Sequence, residues 1–240
     1  MIQAHVRMRS LVADMDGVIL QHPRLTAIVG DRAIEFVKKT INPYMSSAKA
    51  TKINETLYKN FGHTVLGIQA IYNPTTTIKD FCDYVYDPEF IAGMDLVEKD
   101  PIFYEHSIEI KEICDSYIKN NKPFYIFSNA PVQWCQNALE MMGIQILPEN
   151  IIGCDSPIYG GDTMVLKPMK ESYHKISHYI EHREGHPYKT QFIFIDDQIS
   201  NLIPIVENPY WKPIWYNPSQ TVYSDKIVTV TDIQQVRFFL

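Results

Sequence analysis

The feature that most constrains the fold is a repeated alternation of short apolar runs with longer segments of helical periodicity. Each run ends at polar or turn residues, which is typical of a buried strand leaving a sheet. Two of the helical segments end at a glycine, Gly143 and Gly185, as helices often do. Strand, helix and strand in repetition predict a doubly wound parallel sheet with helices on both faces. The five runs are SLVAD (10–14), PFYIFSN (123–129), NIIGCD (150–155), QFIFID (191–196) and KPIWYN (212–217).

Residues 21–105 do not follow this alternation, because stretches that favour helix succeed one another there without a strong strand between them. We therefore expect a helical insertion between the first strand and the rest of the sheet. The sequence predicts an α/β protein with a Rossmann-like core domain, formed by residues 1–20 and 106–240, and a helical cap domain, formed by residues 21–105.

Composition and charge exclude several classes of protein. The formal net charge of −6 argues against nucleic-acid binding through a basic face. No CxxC pair occurs among the four cysteines, which predicts reduced structural thiols rather than a zinc site or a disulfide framework. The first ten residues lack the apolar core of a signal peptide, and no apolar run is long enough to span a membrane. We expect a soluble, cytoplasmic protein; its oligomeric state is not set by the sequence.

Chemically active side chains follow four of the predicted strands and loops. Because the carboxyl ends of parallel strands lie along one edge of a sheet, these side chains are expected to meet in one crevice. Clustered carboxylates supply the hard oxygen ligands that Mg²⁺ prefers, and a lysine, a serine and free amides at a helix start bind phosphate oxygens. The residues are Asp14 and Asp16, Ser128 and Asn129, Lys167, and Asp196 and Asp197.

Such a site suits the transfer of a phosphoryl group, whose transition state spreads negative charge over its equatorial oxygens. One carboxylate of the Asp14–Asp16 pair would act as the nucleophile and form an aspartyl-phosphate. The other, two residues away, would protonate the leaving oxygen and then activate water.

These four motifs, in this order and over nearly the whole chain, resemble those of the haloacid dehalogenase (HAD) superfamily of phosphatases. The resemblance implies that Asp14 is the nucleophile, that Asp16 is the general acid/base, and that Ser128, Asn129 and Lys167 bind the substrate phosphate. It also implies that Mg²⁺ is held by Asp14, the backbone carbonyl of Asp16 and Asp196. Asp197 would lie behind these groups and orient water or Lys167. An insertion between the first two motifs would be a cap over the active site.

A narrower resemblance is to the pyrimidine 5′-nucleotidase branch of that superfamily. It involves LYKNFGHTVLGI (57–68), FSNA, GGDTMVLKP and FIDDQISNL. This branch normally has Asn-Thr where this chain has Gly17 and Val18, and often an arginine where it has Leu66. Neither difference removes a carboxylate, so both bear on substrate preference rather than on catalysis.

The resemblance implies a magnesium-dependent phosphomonoester hydrolase whose partner is a small phosphorylated metabolite, namely a pyrimidine nucleoside monophosphate. Two alternatives stay open. The substrate could be a sugar phosphate or another small phosphometabolite, because the cap sets selectivity. The chain could instead be a non-catalytic binding module that retains the fold.

Several aromatic and histidine side chains allow two interpretations. Tyr58 and Phe61 in the cap could contact the substrate or pack between helices. His174, His178 and His182 recur every four residues, with His186 beyond them, and a solvated helix face is favoured over a metal site. Trp211 and Trp215 are expected in the core rather than stacked on a nucleobase. Those two tryptophans and the three regularly spaced histidines lie outside the predicted site.

Overall fold

A six-stranded sheet organises the chain in a computed structural model. The structure describes residues 8–159, 166–185, 190–219 and 226–239. All five strand pairings are parallel, and the strand order is β3-β2-β1-β4-β5-β6. The strands are β1 (Met8–Ala13), β2 (Phe124–Phe127), β3 (Ile151–Ile152), β4 (Thr190–Asp196), β5 (Trp211–Tyr216) and β6 (Val228–Val230).

Nine α-helices connect or cover these strands within the described residues, and short 3₁₀ turns complete the connections. The predicted fold class, a doubly wound parallel sheet with a helical insertion, is confirmed. The helices are α1 (Pro23–Ile41), α2 (Ser47–Phe61), α3 (Thr64–Ile71), α4 (Ile78–Val85), α5 (Pro88–Gly93), α6 (Pro101–Lys119), α7 (Val132–Met141), α8 (Lys170–Glu184) and α9 (Ile199–Leu202).

The sheet is buried on both faces, because successive residues of each strand point to opposite sides. In β1, Leu11 and Ala13 pack into a cluster with residues of α5, α6 and α7, whereas Val12 packs into a second cluster with residues of α8 and α9. Trp211 and Trp215 belong to the second cluster and are buried, so their predicted place in the core is confirmed. This double cover explains why the strands are continuous apolar runs.

Helices α1 to α4 form a third hydrophobic cluster of their own, which includes Phe36, Leu57 and Phe81. Residues from Ile91 onward instead pack with the sheet. The expected domain boundary between residues 105 and 106 lies inside α6, so we propose that the cap extends only to about the end of α4.

Local differences from the sequence prediction occur where short signals are weak. Within the predicted helical insertion, residues 46–72 contain two helices, because Gly62 adopts a left-handed conformation and ends α2. Strand β6 was not predicted, since three residues give too short a pattern. Helix α7 begins at Val132, with Pro131 in the N-cap position rather than the first turn.

Two further groups of side chains lie away from the strand ends. His174, His178 and His182 are exposed on α8, which confirms the predicted solvated face, and His186 lies outside the described residues. The Sγ atoms of Cys82, on α4, and Cys154, after β3, are 3.5 Å apart. Among the described residues, no helix combines the length and apolar character needed to cross a lipid bilayer.

Candidate active site

Asp14 follows the last residue of β1 at the centre of the sheet and is 7% exposed. Its Oδ1 accepts a hydrogen bond from the backbone N–H of Met15 at 2.7 Å and lies 2.7 Å from Nζ of Lys167. The chain then turns at Gly17, whose φ of +82° favours glycine, and the Gly17 N–H closes the turn on the carbonyl of Leu20. Asp14 is therefore fixed through one oxygen at the carboxyl edge of the sheet.

Lys167 bridges two of the predicted motifs. Its ammonium lies 2.7 Å from Asp14 and 2.8 Å from Oδ2 of Asp196, and its side chain is 1% exposed. Nζ also lies 5.3 Å and 5.5 Å from the ring centres of Phe127 and Phe194. Burial by itself lowers the pKa of Lys167, but attraction to the two carboxylates outweighs it and raises the pKa above its ordinary value. The lysine is therefore charged.

Asp196 ends β4 and is fully buried. It accepts hydrogen bonds from the backbone N–H of Gln198 at 2.8 Å and from the amide of Asn201 at 3.0 Å, so its orientation is set by α9 and the residues before it. Asp197 packs its carboxylate against Gly17, where a Cβ atom would lie only 2.5 Å from Oδ2. Burial and the charge of Asp196 raise the pKa of Asp197 to about 7.

The cluster has more negative than positive charge. Asp14, Asp196 and Asp197 each offer an oxygen atom within 4.8 Å of the others, and only Lys167 neutralises them among the described residues. Burial and the two neighbouring carboxylates raise the pKa of Asp14 well above its ordinary value, even though Lys167 opposes the shift. Carboxylate oxygens are the hard ligands that Mg²⁺ prefers, and a bound divalent cation would offset the repulsion between the three carboxylates. The cluster therefore fits a cation such as Mg²⁺. Asp197, expected behind the ligands, has an oxygen atom close enough to be a further candidate ligand.

Asp16 is partly buried and is not one of the three clustered carboxylates. Its Oδ1 accepts a hydrogen bond from Nε1 of Trp134, on α7, at 3.0 Å. Burial raises the pKa of Asp16 to about 6, although the hydrogen bond from Trp134 and the charge of Lys167 oppose the shift. A carboxyl group with a pKa in this range can exchange a proton near neutral pH.

Ser128 and Asn129 follow β2 and line the same crevice, but both are partly engaged. Oγ of Ser128 accepts a hydrogen bond from the N–H of Ala130 at 3.0 Å. The Asn129 amide makes two hydrogen bonds of 3.0 Å with the main chain of Lys167, and so braces the lysine. The first N–H of α7, at Val132, is donated to Asp155 at 2.8 Å, so a carboxylate is already bound at this helix start.

A cavity of about 320 Å³ opens above the carboxylates and continues between the sheet edge and helices α1 to α4. Tyr58 lines it, whereas Phe61 lies at the end of α2 and packs into the helical cluster. The sequence analysis did not single out the other helical residues of this wall, because their spacing is that of ordinary core positions. They include Thr26, Asn54, His63, Thr64, Phe81 and Tyr86.

The polar atoms on the helical side of the cavity are partly ordered. Oγ1 of Thr64 donates a hydrogen bond to Oδ1 of Asn54 at 2.7 Å. Nδ1 of His63 accepts a hydrogen bond from the N–H of Val65 at 3.1 Å, and burial lowers the pKa of His63 to about 4. The imidazole is therefore neutral, with its proton on Nε2.

No protein-family model matches the chain, and no curated protein matches it significantly. Solved structures do match over nearly its whole length. A HAD phosphatase from Thermococcus onnurineus has a TM-score of 0.59 and 13% identity, with 97% of each chain covered. A HAD hydrolase, family IA, variant 3, from Entamoeba histolytica has a TM-score of 0.56 and 16% identity, with 95% of each chain covered.

A phosphoserine phosphohydrolase-like protein from Francisella tularensis has a TM-score of 0.52 and 17% identity, covering 97% of this chain and all of that one. At such identities the likeness concerns the backbone rather than the side chains that act on a substrate. The chain therefore has the fold of solved structures described as HAD phosphatases and hydrolases.

Proposed function

We propose that this chain belongs to the HAD superfamily and is a magnesium-dependent phosphomonoester hydrolase that works through an aspartyl-phosphate on Asp14. The observation that supports this most directly is the cluster of Asp14, Asp196 and Asp197, with Lys167 paired to the first two, beside a cavity that Asp14, Asp197 and Lys167 line. The names of the solved structures with this fold agree with a phosphatase.

In the first step, Asp14 attacks phosphorus. Its Oδ1 is held by Met15 and Lys167, and among the described residues no donor reaches Oδ2, which is therefore the oxygen that attacks. The bond from Oδ2 to phosphorus forms as the bond from phosphorus to the leaving oxygen breaks, and that oxygen takes a proton from Asp16. Lys167 stabilises the charge on the phosphoryl oxygens.

In the second step, Asp16 takes a proton from water, the resulting hydroxide attacks phosphorus, and the bond to Asp14 breaks to release inorganic phosphate. A divalent cation bound by Asp14, the backbone carbonyl of Asp16 and Asp196, with Asp197 close by, would neutralise the carboxylates and stabilise charge on the phosphoryl group. Ser128 holds the N–H of Ala130 in the turn after β2, and Asn129 holds the main chain of Lys167.

The cavity supports a pyrimidine nucleoside monophosphate as the substrate. Phe81, Tyr86 and Tyr58 provide aromatic surface against which a planar base can pack. The amide of Asn54 and the Nε2–H of His63 offer hydrogen-bond donors suited to the carbonyl groups of a pyrimidine. A volume of about 320 Å³ is at the small end of ligand pockets, which favours a one-ring base.

The test is phosphate release by the purified full chain from UMP, CMP, dTMP, AMP and glucose 6-phosphate, with Mg²⁺ titrated against EDTA. We expect UMP, CMP and dTMP to be hydrolysed faster than the other two, and activity to disappear in EDTA. Asp196→Asn should raise the Mg²⁺ concentration needed for half-maximal rate, whereas Asp95→Asn, which changes an exposed carboxylate, should not.

Each adverse outcome points to a different part of the proposal. A flat profile, or a preference for glucose 6-phosphate, would reject the nucleotide substrate but keep the phosphatase. Hydrolysis that persists unchanged in EDTA would reject the metal. No hydrolysis of any ester with Mg²⁺ present would favour a non-catalytic binding module.

A further inference from the structure

The indole of Trp134 makes a contact that neither the sequence pattern nor the proposed chemistry requires. Trp134 lies in the first turn of α7, is 1% exposed, and donates its Nε1–H to Oδ1 of Asp16 at 3.0 Å across 118 positions of the chain. Two aromatic rings fix the indole plane, since the ring centres of Tyr86 and Phe90 lie 5.2 Å and 5.7 Å away.

The hydrogen bond divides the two oxygens of Asp16 between two tasks. Oδ1 accepts a hydrogen bond from the buried indole of Trp134, and no donor among the described residues reaches Oδ2. Asp16 also lines the cavity, whereas Trp134 does not. The carboxyl group therefore cannot rotate freely, and Oδ2 is the oxygen available to a bound substrate.

Orientation matters here because the two catalytic carboxyl groups leave the same turn. Asp14 is fixed by Met15 and Lys167, whereas among the described residues Trp134 is the one side chain that donates a hydrogen bond to the Asp16 carboxylate. An acid that must meet a leaving oxygen within hydrogen-bond distance loses much of its effect when it is misplaced by about 1 Å.

We propose that Trp134 is a positioning residue for Asp16, which holds Oδ1 so that Oδ2 faces the leaving oxygen of the substrate. This rests on the proposed function, because it requires Asp16 to act as the general acid. Trp134 touches no reacting atom, and its effect passes through the one hydrogen bond that its indole N–H makes with Asp16.

The experiment compares esters that differ in their need for an acid. The leaving oxygen of UMP or glucose 6-phosphate must be protonated, whereas p-nitrophenyl phosphate leaves as a stable phenolate. The value of kcat/KM reports the steps up to the first irreversible one, so later hydrolysis of the aspartyl-phosphate does not obscure the comparison. For Trp134→Phe we expect kcat/KM to fall about 10- to 100-fold with the alkyl ester and less than about threefold with p-nitrophenyl phosphate.

A second variant separates the N–H from the shape of the ring. Benzothienylalanine placed at position 134 keeps two fused rings but has sulfur in place of the N–H, and should show the same difference between esters. Trp211→Phe is the matched control, because Trp211 is also a buried tryptophan, stacked on Phe192 at 4.7 Å in the cluster on the other face of the sheet. It should leave both rates unchanged.

The outcomes distinguish this inference from the proposed function. If the wild-type protein is active but the two variants lose kcat/KM equally on both types of ester, or lose none, the positioning role alone is overturned. Wild-type protein that hydrolyses none of the esters would overturn the proposed function and this inference with it. If kcat/KM with the alkyl ester falls in Trp134→Phe but not with benzothienylalanine, the loss comes from packing of the ring. The hydrogen bond from the indole N–H would then have no positioning role.

Discussion

At the scale of single residues, the main feature of the site is an excess of negative charge among buried side chains. Three carboxylates and one ammonium lie together, and burial raises the pKa of Asp14 and of Asp197. The stability of the metal-free protein and the affinity for a cation are therefore linked, because a bound divalent ion removes the repulsion that burial makes costly.

Asp14→Asn should abolish turnover while it stabilises the metal-free fold. The variant lacks the attacking carboxylate, so kcat should fall by about a thousandfold or more. The amide cannot take part in the repulsion with Asp196 and Asp197, so the unfolding temperature in EDTA should be higher than that of the wild type. Steady-state kinetics and thermal unfolding check the two effects; near-normal activity would exclude a covalent intermediate on Asp14.

Asp197 should make the metal-free protein less stable as the pH rises, which is the opposite of acid denaturation. Its pKa is about 7 in the folded state and about 3.9 in an unfolded chain, so the folded state binds more protons between these values. The stabilisation is present at low pH and is lost as the pH rises through about 7. The loss should be about 2 kcal/mol, after allowance for partial exposure of the side chain.

The measurement is the free energy of unfolding of the wild type relative to Asp197→Asn in EDTA from pH 5 to pH 8. This difference cancels the contributions of buried histidines such as His63, whose lowered pKa acts in the other direction. The wild type should lose stability relative to the variant as the pH rises, and saturating Mg²⁺ should flatten the curve. A difference that does not vary with pH would contradict the raised pKa.

At the scale of elements, the turn between α2 and α3 packs closely against the loop that contains Lys167 and Pro168. Gly62 ends α2 with a φ of +74°, and a Cβ atom at this position would lie 2.0 Å from Cδ of Pro168. An added side chain must therefore move the helical turn, the proline, or both, and Lys167 is the residue directly before that proline.

Gly62→Ala should lower both stability and activity. We expect a loss of about 1–3 kcal/mol, from the left-handed backbone and the clash, and a fall in kcat/KM of about tenfold because Lys167 shifts. Gly93→Ala is the control, since Gly93 is helical and its added Cβ would meet open space. That variant should keep full activity and gain up to about 1 kcal/mol. Equal behaviour of the two variants in denaturant unfolding and kinetics would contradict this contact.

The elements also show how far the sequence could be interpreted. Parallel strands leave a sheet at one edge, so the order of the motifs was enough to predict that Asp14, Lys167 and Asp196 meet, and the structure brings them together. Trp134 could not be predicted, because its partner lies 118 positions away and its spacing in α7 is that of a core residue. Phe61 and Tyr58 are three positions apart on α2, and only the packing of the neighbouring helices decides which of them lines the cavity.

At the scale of the whole molecule, two free thiols are in contact between the helical insertion and the sheet region. Cys82 on α4 is partly exposed, Cys154 after β3 is buried, and their sulfur atoms are 3.5 Å apart. If substrate enters the cavity by separation of these parts, a bond between the two sulfur atoms must hinder it.

Oxidation with copper phenanthroline should therefore slow turnover, and dithiothreitol should restore it. The reaction removes one hydrogen atom from each thiol, with oxygen as the oxidant. The hydrogen bond to Cys82 and burial raise the pKa of Cys154, so oxidation is best carried out at alkaline pH. Mass spectrometry reports the loss of two hydrogen atoms, and Cys82→Ser should be resistant. Full activity of the oxidised protein would show that entry needs no separation at this point.

The central place of β1 has a consequence for how the molecule is made. Of the six strands, β1 is synthesised first, yet its neighbours on either side, β2 and β4, begin only at Phe124 and Thr190. Until they are synthesised, β1 is an apolar segment with two unpaired edges, the kind of segment that chaperones bind and that aggregates when left uncovered. The cluster of Asp14, Lys167 and Asp196 thus forms only when β4, which ends at Asp196, docks beside the much earlier β1.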